Sequence, residues 1–600
     1  MHIPRLHPKP GPTSSLLGLA LAAVMSLSGT AQAALVPDET PNFAMLDVHG
    51  RYYELHRTGA KAVVLLFTEN GCPVARQTIQ KLKTIRTLFP ESDVAIWAVD
   101  ANTSDDRKSI YNEAKELGAN RIFPFLRDDS QGVAQALGVT RTATVVAISG
   151  KDGHIFYHGA LDDQLTEGAS KPEPQAHYLE DALHAFLAGN PVQQATTPAH
   201  GCLIHFDAKL KGTDVSYAHD VAPILQKHCV QCHSPGNIGP FAISDYEKVK
   251  SKSAMIQEVL LARRMPPWSA DPKSGHFLDE RTMTLDETRT LLAWVAQGAP
   301  RGEGEDPLAG VAVAPASAWT LGQPDFMAKL PAPEEIPATG VLEYRHIKVQ
   351  TSVTEDTWLG AIVIHPGNLK VLHHCIVRVQ SHDGSDDGSG RGMFLQGWAP
   401  GYRASRFPEG TGRLLPKGAV LDFEIHYTTM GSPQTDQTEV GFYKLPEKPQ
   451  LALEVHGAYN TEFSIAPNDP DSETFASYAV KADTQLFAMA PHMHLRGSWM
   501  RYEALYPNGK RETLLSVPHY DFNWQTSYRL PQPKSLPAGT WIICSGGFDN
   551  SPQNPNNPAP ASRVAWGDQS FDEMFIGFVE TADAPLTSKA SSSRASTPAP

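Results

Sequence analysis

The spacing of apolar and polar positions changes along the chain, and the first kind of spacing covers residues 41–189. There, short continuous apolar runs alternate with segments in which apolar residues recur every three to four positions. Because such alternation is typical of strands linked by helices, it predicts an α/β domain over residues 34–190. The apolar runs lie at 62–68, 94–101, 144–148 and 154–158, and the helical patterns at 74–89, 107–117 and 178–187.

The second kind of spacing is helical. Residues 285–295 place apolar side chains at intervals of three and four, as an amphipathic helix requires, and Pro300 ends the pattern. We therefore expect a mainly α section within residues 191–310, preceded by a linker at 189–199. Residues 301–340 are rich in Pro, Ala and Glu and are predicted to be an extended connector.

After the connector the helical spacing nearly disappears. Short alternating runs such as 420–427, 485–491 and 575–580 recur between turns rich in Gly, Pro and Asn. This pattern predicts an all-β sandwich or barrel. Residues 583–600 are rich in Ser, Ala and Pro, and we expect them to form a disordered tail.

The first residues indicate export from the cell. Arg5 and Lys9 precede a short apolar run at 16–27. Residues 31–33 read Ala-Gln-Ala, a small-residue cleavage pattern, so a secretory signal peptide is predicted over 1–33. The alternative is an uncleaved membrane anchor, but about 12 apolar residues are too few to span a bilayer. No later apolar run is long enough to span one, so we expect a periplasmic or secreted chain without a stable transmembrane segment after cleavage.

Composition and charge exclude one class of partner. The chain has 600 residues with 48 Pro and 46 Gly, which is consistent with many loops. The 51 Lys and Arg residues against 65 Asp and Glu residues give a net charge of −14. Because this balance provides no basic surface to neutralise phosphates, nucleic acid is not expected as a partner.

Cys72 is a candidate redox thiol. It follows the apolar run at 62–68 and precedes the helical pattern at 74–89. A thiol at a helix N-terminus has its pKa lowered by the free N–H groups, which activates it. This part of the chain resembles the thioredoxin-like redoxin family, including the Cys-Pro that opens the active-site helix. In that comparison, Ala75 stands where the family has its second cysteine and Ala143 where it has a cis-proline.

Two interpretations of this domain remain open. One is a degenerate module with a docking or structural role, and the other is a working thiol at Cys72. A partner thiol would have to come from outside the domain, and Cys202 is the nearest in sequence. The sequence alone does not place the two cysteines within bonding distance.

The motif Cys-x-x-Cys-His at Cys229, Cys232 and His233 predicts a c-type haem. Two thiols three residues apart can add to both vinyl groups of a haem, and the adjacent histidine then binds the iron. The competing interpretation is a zinc site that also uses Cys202 and His205. That interpretation leaves His233 without a role.

A methionine is expected as the second axial ligand of the haem iron. Residues 265–268, Met-Pro-Pro-Trp, and residues 294–300 resemble parts of small class-I-like cytochrome c domains. The candidates are Met255, Met265 and Met283. Met265 is favoured because the prolines after it stiffen the loop that would present it.

Several histidines in the β region are candidate metal ligands. His492 and His494 follow a strand pattern, and residues two apart on a strand point to the same face. His373 and His374 are neighbours that would face opposite ways, so joint ligation requires a kink or different ring nitrogens. Two further candidates are His426, near the end of the run at 420–427, and Met574, just before the run at 575–580.

These residues occur in one order with other short motifs, and the set resembles the copper type II, ascorbate-dependent monooxygenases, the family of peptidylglycine α-hydroxylating and dopamine β-monooxygenases. The resemblance spans about residues 340–582 and implies two jelly-roll-like β-sandwich domains, 340–445 and 446–582, each with one copper ion. The motifs are His373-His374, 398–401 (Trp-Ala-Pro-Gly), His426-Tyr427, 491–494 (Pro-His-Met-His), 521–525 (Asp-Phe-Asn-Trp-Gln) and 572–574 (Asp-Glu-Met).

The resemblance assigns the ligands to two sites with different tasks. Three imidazoles support copper in both oxidation states, whereas a thioether favours Cu(I), the state that meets O2. Two features depart from the family: only Cys375 and Cys544 are available for disulfides here, and Phe575 stands where a cysteine often follows the ligand methionine. The implied electron-transfer site is His373, His374 and His426, and the implied catalytic O2 site is His492, His494 and Met574.

Two functions follow as hypotheses. The first is an exported copper monooxygenase that uses O2 to hydroxylate a C–H bond of a small organic substrate. It would hold two copper ions and one covalent haem, and a periplasmic donor, ascorbate or another external reductant would supply electrons. Gln525 is a further candidate for the network between the coppers. The second hypothesis is a noncatalytic copper-handling or electron-transfer protein with the same ligands.

Overall fold

The computed structural model describes residues 37–166, 169–211, 214–311, 319–380 and 392–583. The predicted signal peptide and residues 584–600 of the predicted tail lie outside these ranges. Within them, no helix combines the length and the apolar character needed to cross a membrane.

The predicted α/β domain is confirmed, and its centre is a seven-stranded sheet. Strand Ala62–Thr68 is buried along its whole length and lies between a parallel and an antiparallel neighbour. Its Val64 and Leu66 share a core with Ile79 of the first long helix and Leu183 of the last helix. In sheet order the strands are Tyr52–Glu54, Ala44–Asp47, Phe125–Arg127, Val94–Asp100, Ala62–Thr68, Val145–Ser149 and Ile155–Gly159. The helices are Pro73–Leu88, Arg107–Glu116, Gly132–Ala136 and Tyr178–Leu187, with a short 3-10 turn at Leu55–Arg57 and a small hairpin of Leu165–Thr166 and Ala169–Ser170.

Helices and turns, without a strand, make up the described residues 214–311. The longest helix of this part, Leu285–Ala296, confirms the predicted amphipathic helix. It begins with a capping box in which the side chains of Thr284 and Glu287 each accept a hydrogen bond from the other's backbone N–H. Trp294 is fully buried, and its indole N–H donates to the carbonyl of Pro300 at 2.9 Å. The other helices are Ala208–Lys211, the π-helical Tyr217–Val221, Ala222–His228, Tyr246–Lys250, Ser253–Leu261 and the 3-10 turn Pro272–Ser274.

The following part of the chain forms a first β-sandwich. Ile362 and Ile364 of one sheet pack in the same core as Val377 and Phe423 of the other, so the predicted sandwich is confirmed. The predicted connector also supplies strands, because its last residues pair with later parts of the sandwich. One sheet is ordered Phe326–Lys329, Glu439–Lys444, Thr357–His365, Thr411–Leu415 and Leu451–Ala452. The other is Arg345–Gln350, Val420–Tyr427, Leu372–Gln380 and Met393–Trp398, and Glu334–Ile336 pairs with Gln434–Asp436.

A second β-sandwich follows directly. Met489 and Val579 of one sheet share a core with Tyr502 and Cys544 of the other. One sheet is ordered Glu454–Asn460, Phe575–Asp583, Thr484–His492 and Tyr528–Leu536. The other is Ser472–Ala479, Trp541–Phe548, Gly497–Leu505 and Arg511–Val517, and a small pair joins Ser464–Ile465 to Val564–Ala565.

Ion pairs connect the α/β domain to the rest of the chain. A guanidinium nitrogen of Arg107 lies 2.6 Å from the carboxylate of Asp271 in the helical part. Arg57 makes the same kind of contact, also at 2.6 Å, with Asp549 in the second sandwich. The α/β domain is therefore packed against the helical part and the second sandwich.

Candidate functional sites

Three buried histidines lie together in the first sandwich. Ligand nitrogens of His373, His374 and His426 are all within 4.8 Å of one another. Nδ1 of His373 lies 3.0 Å from Nδ1 of His374 and 3.4 Å from Nδ1 of His426. The structure thus brings together the three residues that the resemblance assigned to one site.

A β-bulge explains how two consecutive histidines face the same point. Strand Leu372–Gln380 pairs with Val420–Tyr427, and His374 lies directly opposite His426. The register shifts just before His374, which makes His373 the extra residue of the bulge. This local irregularity is the kink that joint ligation by neighbouring residues requires.

The surroundings of these histidines fit a bound metal ion. Burial lowers the pKa of all three, and neighbouring imidazoles lower the pKa of His374 and His426 further, that of His426 to about 3. Metal binding requires neutral imidazoles, and these pKa values keep the rings neutral. Within the described residues, Nε2 of His374 is buried and has no hydrogen-bond partner. Neutral, clustered and partly unsatisfied nitrogens suit a transition metal.

The second predicted cluster lies in the second sandwich. His492 is the last residue of its strand, and the ring of His494 lies 5.4 Å from the ring of His492 between centroids. The backbone N–H of His494 donates to the carboxylate of Glu573 at 2.8 Å. Met574 is the next residue, and Ile576 lies directly opposite His492 in the sheet. Met574 therefore lies immediately before the strand Phe575–Asp583, which pairs with the strand that ends at His492.

Two aromatic side chains contact both histidine clusters. The ring of Phe522 lies 6.0 Å from that of His426 and 5.9 Å from that of His494, measured between centroids. Tyr344 stacks on His426 at 4.7 Å and lies 6.2 Å from His494. The two clusters are therefore separated by the same pair of rings. Phe522 belongs to a motif that the sequence singled out, but no local pattern marks Tyr344.

The segment after Phe522 holds one histidine of each cluster. Nε2 of His373 lies 3.2 Å from the side-chain oxygen of Asn523, and Nδ1 of His492 lies 2.7 Å from that of Gln525. Because Nδ1 of His373 faces the other two histidines, its Nε2–H is the donor to Asn523. Hydrogen bonds of this kind fix the orientation of metal-binding imidazoles.

The Cys-x-x-Cys-His motif follows helix Ala222–His228. Nδ1–H of His233 donates to the carbonyl of Phe241 at 3.1 Å, which orients the ring and leaves Nε2 for a metal. A Cβ at Gly239 would lie 2.7 Å from the carbonyl oxygen of Cys232 and 2.8 Å from Nδ1 of His233. Glycine at this position therefore allows the chain to pass close to the motif. This arrangement fits a haem that is bound through both cysteines and His233.

The three candidate methionines differ in their surroundings. Met283 is buried in the same hydrophobic cluster as Cys229. Met265, the methionine favoured by the sequence, is half-buried and lines a cavity of about 430 Å³ together with Met283. Met255 is 47% exposed. Met265 and Met283 thus remain the two candidates for a second axial ligand.

The haem motif touches the first sandwich directly. Gln231, between the two motif cysteines, accepts a hydrogen bond from the guanidinium of Arg403. Arg403 follows the strand that ends at Trp398. In the sheet, Trp398 lies opposite Cys375, which is the residue after His374. A cavity of about 450 Å³ opens beside this contact. Its lining includes Arg281, His374, Trp398, His492, Gln525 and Arg529.

Cys72 has a second thiol as its neighbour. It is buried at the N-cap of helix Pro73–Leu88, and its Sγ lies 2.9 Å from Sγ of Cys202. Burial acts to raise the pKa of Cys72, but hydrogen bonds with Cys202 and Thr142 outweigh it and lower the pKa. The carboxylate of Glu69 lies within 4.8 Å of both sulfurs. Among the described residues, no group of ligand atoms within 4.8 Å of one another joins Cys202 and His205 to Cys229 and Cys232, so the alternative zinc site is not assembled there.

Ala143, which stands where the resemblance places a cis-proline, is also part of this site. Its φ angle is +56°, an unusual value for a residue other than glycine. Its N–H donates to the carbonyl of Phe67 at 2.7 Å, and its side chain packs beside Cys72. At this position the chain therefore makes a turn with a positive φ at Ala143, where the family has a cis-proline.

Comparisons with known proteins identify this first domain. Residues 36–157 match the AhpC/TSA family. The thiol-disulfide oxidoreductase ResA of Halalkalibacterium halodurans is 24% identical over 131 residues, which cover 22% of this chain and 72% of that protein. Among solved structures, the hypothetical protein SMc02350 of Sinorhizobium meliloti is 25% identical, with 29% of this chain and 96% of that chain covered and a TM-score of 0.27. A thioredoxin-like protein of Aeropyrum pernix is 14% identical, with 20% and 83% covered and a TM-score of 0.19.

The family match agrees with the observed sheet and with the position of Cys72. The cysteine lies between a central strand and the helix that follows it, where an activated thiol is expected. Residues 36–157 are therefore a thioredoxin-like domain of the AhpC/TSA family.

Proposed function

We propose that the chain is an exported copper-dependent monooxygenase that uses O2 to hydroxylate a C–H bond of a small organic substrate. The observation that carries the proposal is the juxtaposition of the two histidine clusters. Phe522 lies 6.0 Å from His426 and 5.9 Å from His494 between ring centroids, so one side chain contacts both clusters. Two metal sites on two sandwiches, facing each other across shared rings, suit a reaction that needs two electrons and one O2.

The ligand types support copper in both sites. His373, His374 and His426 offer three neutral imidazoles, a set that accommodates both copper oxidation states. His492 and His494 offer two imidazoles beside Met574, and a thioether favours the reduced ion. When bound, the two copper ions would supply one-electron transfer and the activation of O2.

The chain's own residues orient the sites. Asn523 and Gln525 hold one imidazole of each cluster through hydrogen bonds at 3.2 and 2.7 Å. The carboxylate of Glu573 fixes the backbone of His494 at 2.8 Å. The cavity of about 450 Å³ reaches His374 and His492, and its size suits a small organic molecule.

The haem motif supports an internal electron supply. Gln231 of the motif contacts Arg403 of the first sandwich, and Trp398, five residues before Arg403, lies opposite Cys375, the neighbour of His374. We propose that a haem held by Cys229, Cys232 and His233 would accept electrons from a periplasmic donor, or from ascorbate or another external reductant. A copper ion held by His373, His374 and His426 would then be the carrier that supplies the second cluster.

A labelling experiment tests this function. The holoprotein is incubated with ascorbate, isotopically labelled O2 and a panel of small organic compounds. A monooxygenase transfers one labelled oxygen atom to a hydroxylated product, and its O2 consumption rises only with that compound. Met574→Ala abolishes the product but retains the haem and the copper of the three-histidine site. Met327→Ala, which changes a methionine that is 51% exposed, is the matched control.

The alternative function predicts a different result. A noncatalytic copper or electron carrier is reduced and reoxidised without forming a labelled product from any compound. If a protein that holds haem and both copper ions forms no labelled product, the proposed monooxygenase function is wrong.

A further inference from the structure

We propose that Cys72 and Cys202 form an exchangeable dithiol–disulfide couple that reacts with an external protein dithiol. The couple joins the thioredoxin-like domain to the segment that leads into the helical part of the chain. The proposal rests on the geometry around these two thiols and is independent of the copper and haem sites.

The first support is the distance between the sulfurs. Sγ of Cys72 and Sγ of Cys202 lie 2.9 Å apart although 130 positions separate them in sequence. A metal ion bound tetrahedrally by two thiolates at about 2.3 Å would hold the sulfurs about 3.8 Å apart. The observed approach is closer than that, but it is longer than the about 2.05 Å of a disulfide. The structure therefore holds two free thiols in direct contact, close enough to bond after a small movement, rather than two ligands of a shared metal ion.

The second support is the way in which the backbone holds Cys202. The N–H of Cys202 donates to the hydroxyl oxygen of Thr142 at 2.9 Å, and the N–H of Thr142 donates to the carbonyl of Cys202 at 2.9 Å. The N–H of Ile204 donates to the carbonyl of Thr140, also at 2.9 Å. A Cβ at Gly201 would lie 2.0 Å from the carbonyl oxygen of Thr142, so glycine permits this close approach. The segment is therefore fixed in place against the turn beside Cys72.

The third support is the chemical difference between the two thiols. Thr142 Oγ1 lies 3.0 Å from Sγ of Cys72, and this contact and that with Cys202 stabilise its thiolate. Cys202 is the more exposed of the two, and the nearby Cys72 raises its pKa. An incoming thiolate therefore reaches Cys202 more easily, while Cys72 is the better leaving group.

These properties define a balanced exchange. One thiolate of the external dithiol attacks Sγ of Cys202, the bond between Cys202 and Cys72 breaks, and its electron pair leaves on Cys72. The second thiolate of the partner then attacks the mixed disulfide, and Cys202 leaves and takes up a proton. Glu69, within 4.8 Å of both sulfurs, is placed to relay that proton. The partner ends as a disulfide. After receiving two electrons, Cys72 ends as a thiolate and Cys202 as a thiol.

Redox titration of the full-length holoprotein tests the proposal. The protein is equilibrated in buffers with different ratios of reduced to oxidised dithiothreitol, quenched with acid, alkylated and mapped by mass spectrometry. The alkylation of Cys72 and that of Cys202 fall together as the buffer becomes more oxidising. The ratio of reduced to oxidised protein changes tenfold for about 30 mV of buffer potential. Cys375 and Cys544, which are fully buried, serve as internal controls whose state does not change.

A single substitution separates this couple from other reactions of Cys72. In Cys202→Ser, Cys72 stays a thiol at every buffer ratio, and in Cys72→Ser the same holds for Cys202. The proposal is overturned if both cysteines remain thiols in the most oxidising buffer. It is also overturned if Cys72 bonds to a different residue, or if a chelator rather than a reductant restores alkylation, since the latter result indicates a metal site.

Discussion

At the scale of single residues, the sequence identified the candidate ligands but not how they meet. The family resemblance implied that His373, His374 and His426 share one site. The alternation of side chains along a strand argued against a shared site for the neighbours His373 and His374. The bulge resolves this conflict, and a bulge depends on pairing with a strand some 50 positions away. No local pattern predicts such pairing, which also explains why Tyr344 was not found from sequence.

Asn523 provides a test of the three-histidine site. Replacing it with Leu removes the oxygen that accepts from His373, and losses of such partners typically weaken metal binding about 10–100-fold. We expect Asn523→Leu to lower the copper affinity of this site by that amount, measured by competition with a chelator. Asn523→Asp keeps an accepting oxygen and should retain most of the affinity. Asn556→Leu, at another exposed asparagine, should leave the affinity unchanged.

The second haem ligand is decided by two further substitutions. Removal of a thioether from the iron lowers the haem potential and changes the absorption spectrum of the oxidised haem. If Met265 is the ligand, Met265→Ala shows both effects and Met283→Ala shows neither. The reverse result assigns the buried Met283. Met255→Ala is the control, and an effect limited to that variant would contradict both assignments.

At the scale of elements, long patterns were predicted well and short ones were missed. The strand Ala62–Thr68 and the helix Tyr178–Leu187 occur at the predicted residues, because the first is a continuous apolar run and the second repeats apolar residues every three to four positions. The strands Phe326–Lys329 and Glu334–Ile336 were read as part of a connector. Each has only three or four residues, and its structure depends on pairing with a strand about 100 residues later.

The loop after the haem motif offers a test at this scale. In Gly239→Ala the new Cβ would lie 2.7 Å from the carbonyl oxygen of Cys232, so the loop must move away from the motif. We expect less covalently attached haem, measured by haem staining on a denaturing gel against total protein. Gly236→Ala has a positive φ but meets no atom within 4 Å. A Gly239→Ala variant that attaches as much haem as the unchanged protein would contradict the role given to this close approach.

At the scale of the whole molecule, the thioredoxin-like domain contacts the helical part and the second sandwich, and the helical part contacts the first sandwich. The thioredoxin-like domain was predicted and is confirmed by the family match at residues 36–157. The packing between parts was not predicted, because it depends on single contacts such as Arg107 with Asp271 at 2.6 Å. Single charged side chains at the boundary between two parts carry no periodic signal in the sequence.

The contact between the haem motif and the first sandwich gives a test of electron delivery. Arg403→Ala removes the hydrogen bond to Gln231 and loosens the approach of the two parts. We expect slower oxidation of the reduced haem by the copper sites, measured by stopped-flow absorption, with unchanged haem and copper content. Arg563→Ala, at an exposed arginine of the second sandwich, is the control. An unchanged rate in Arg403→Ala would place the electron path elsewhere.

The most direct test of the central claim is the metal and haem content of the purified holoprotein, determined by elemental analysis and by the haem spectrum under denaturing conditions. The account predicts one haem and two copper ions per chain. His374→Ala should retain one copper ion and the haem, whereas His456→Ala, which changes a histidine outside both clusters, should retain two copper ions. A wild-type holoprotein that binds no copper after exposure to Cu(I), or that binds the same amount as His374→Ala, would contradict the two-site account.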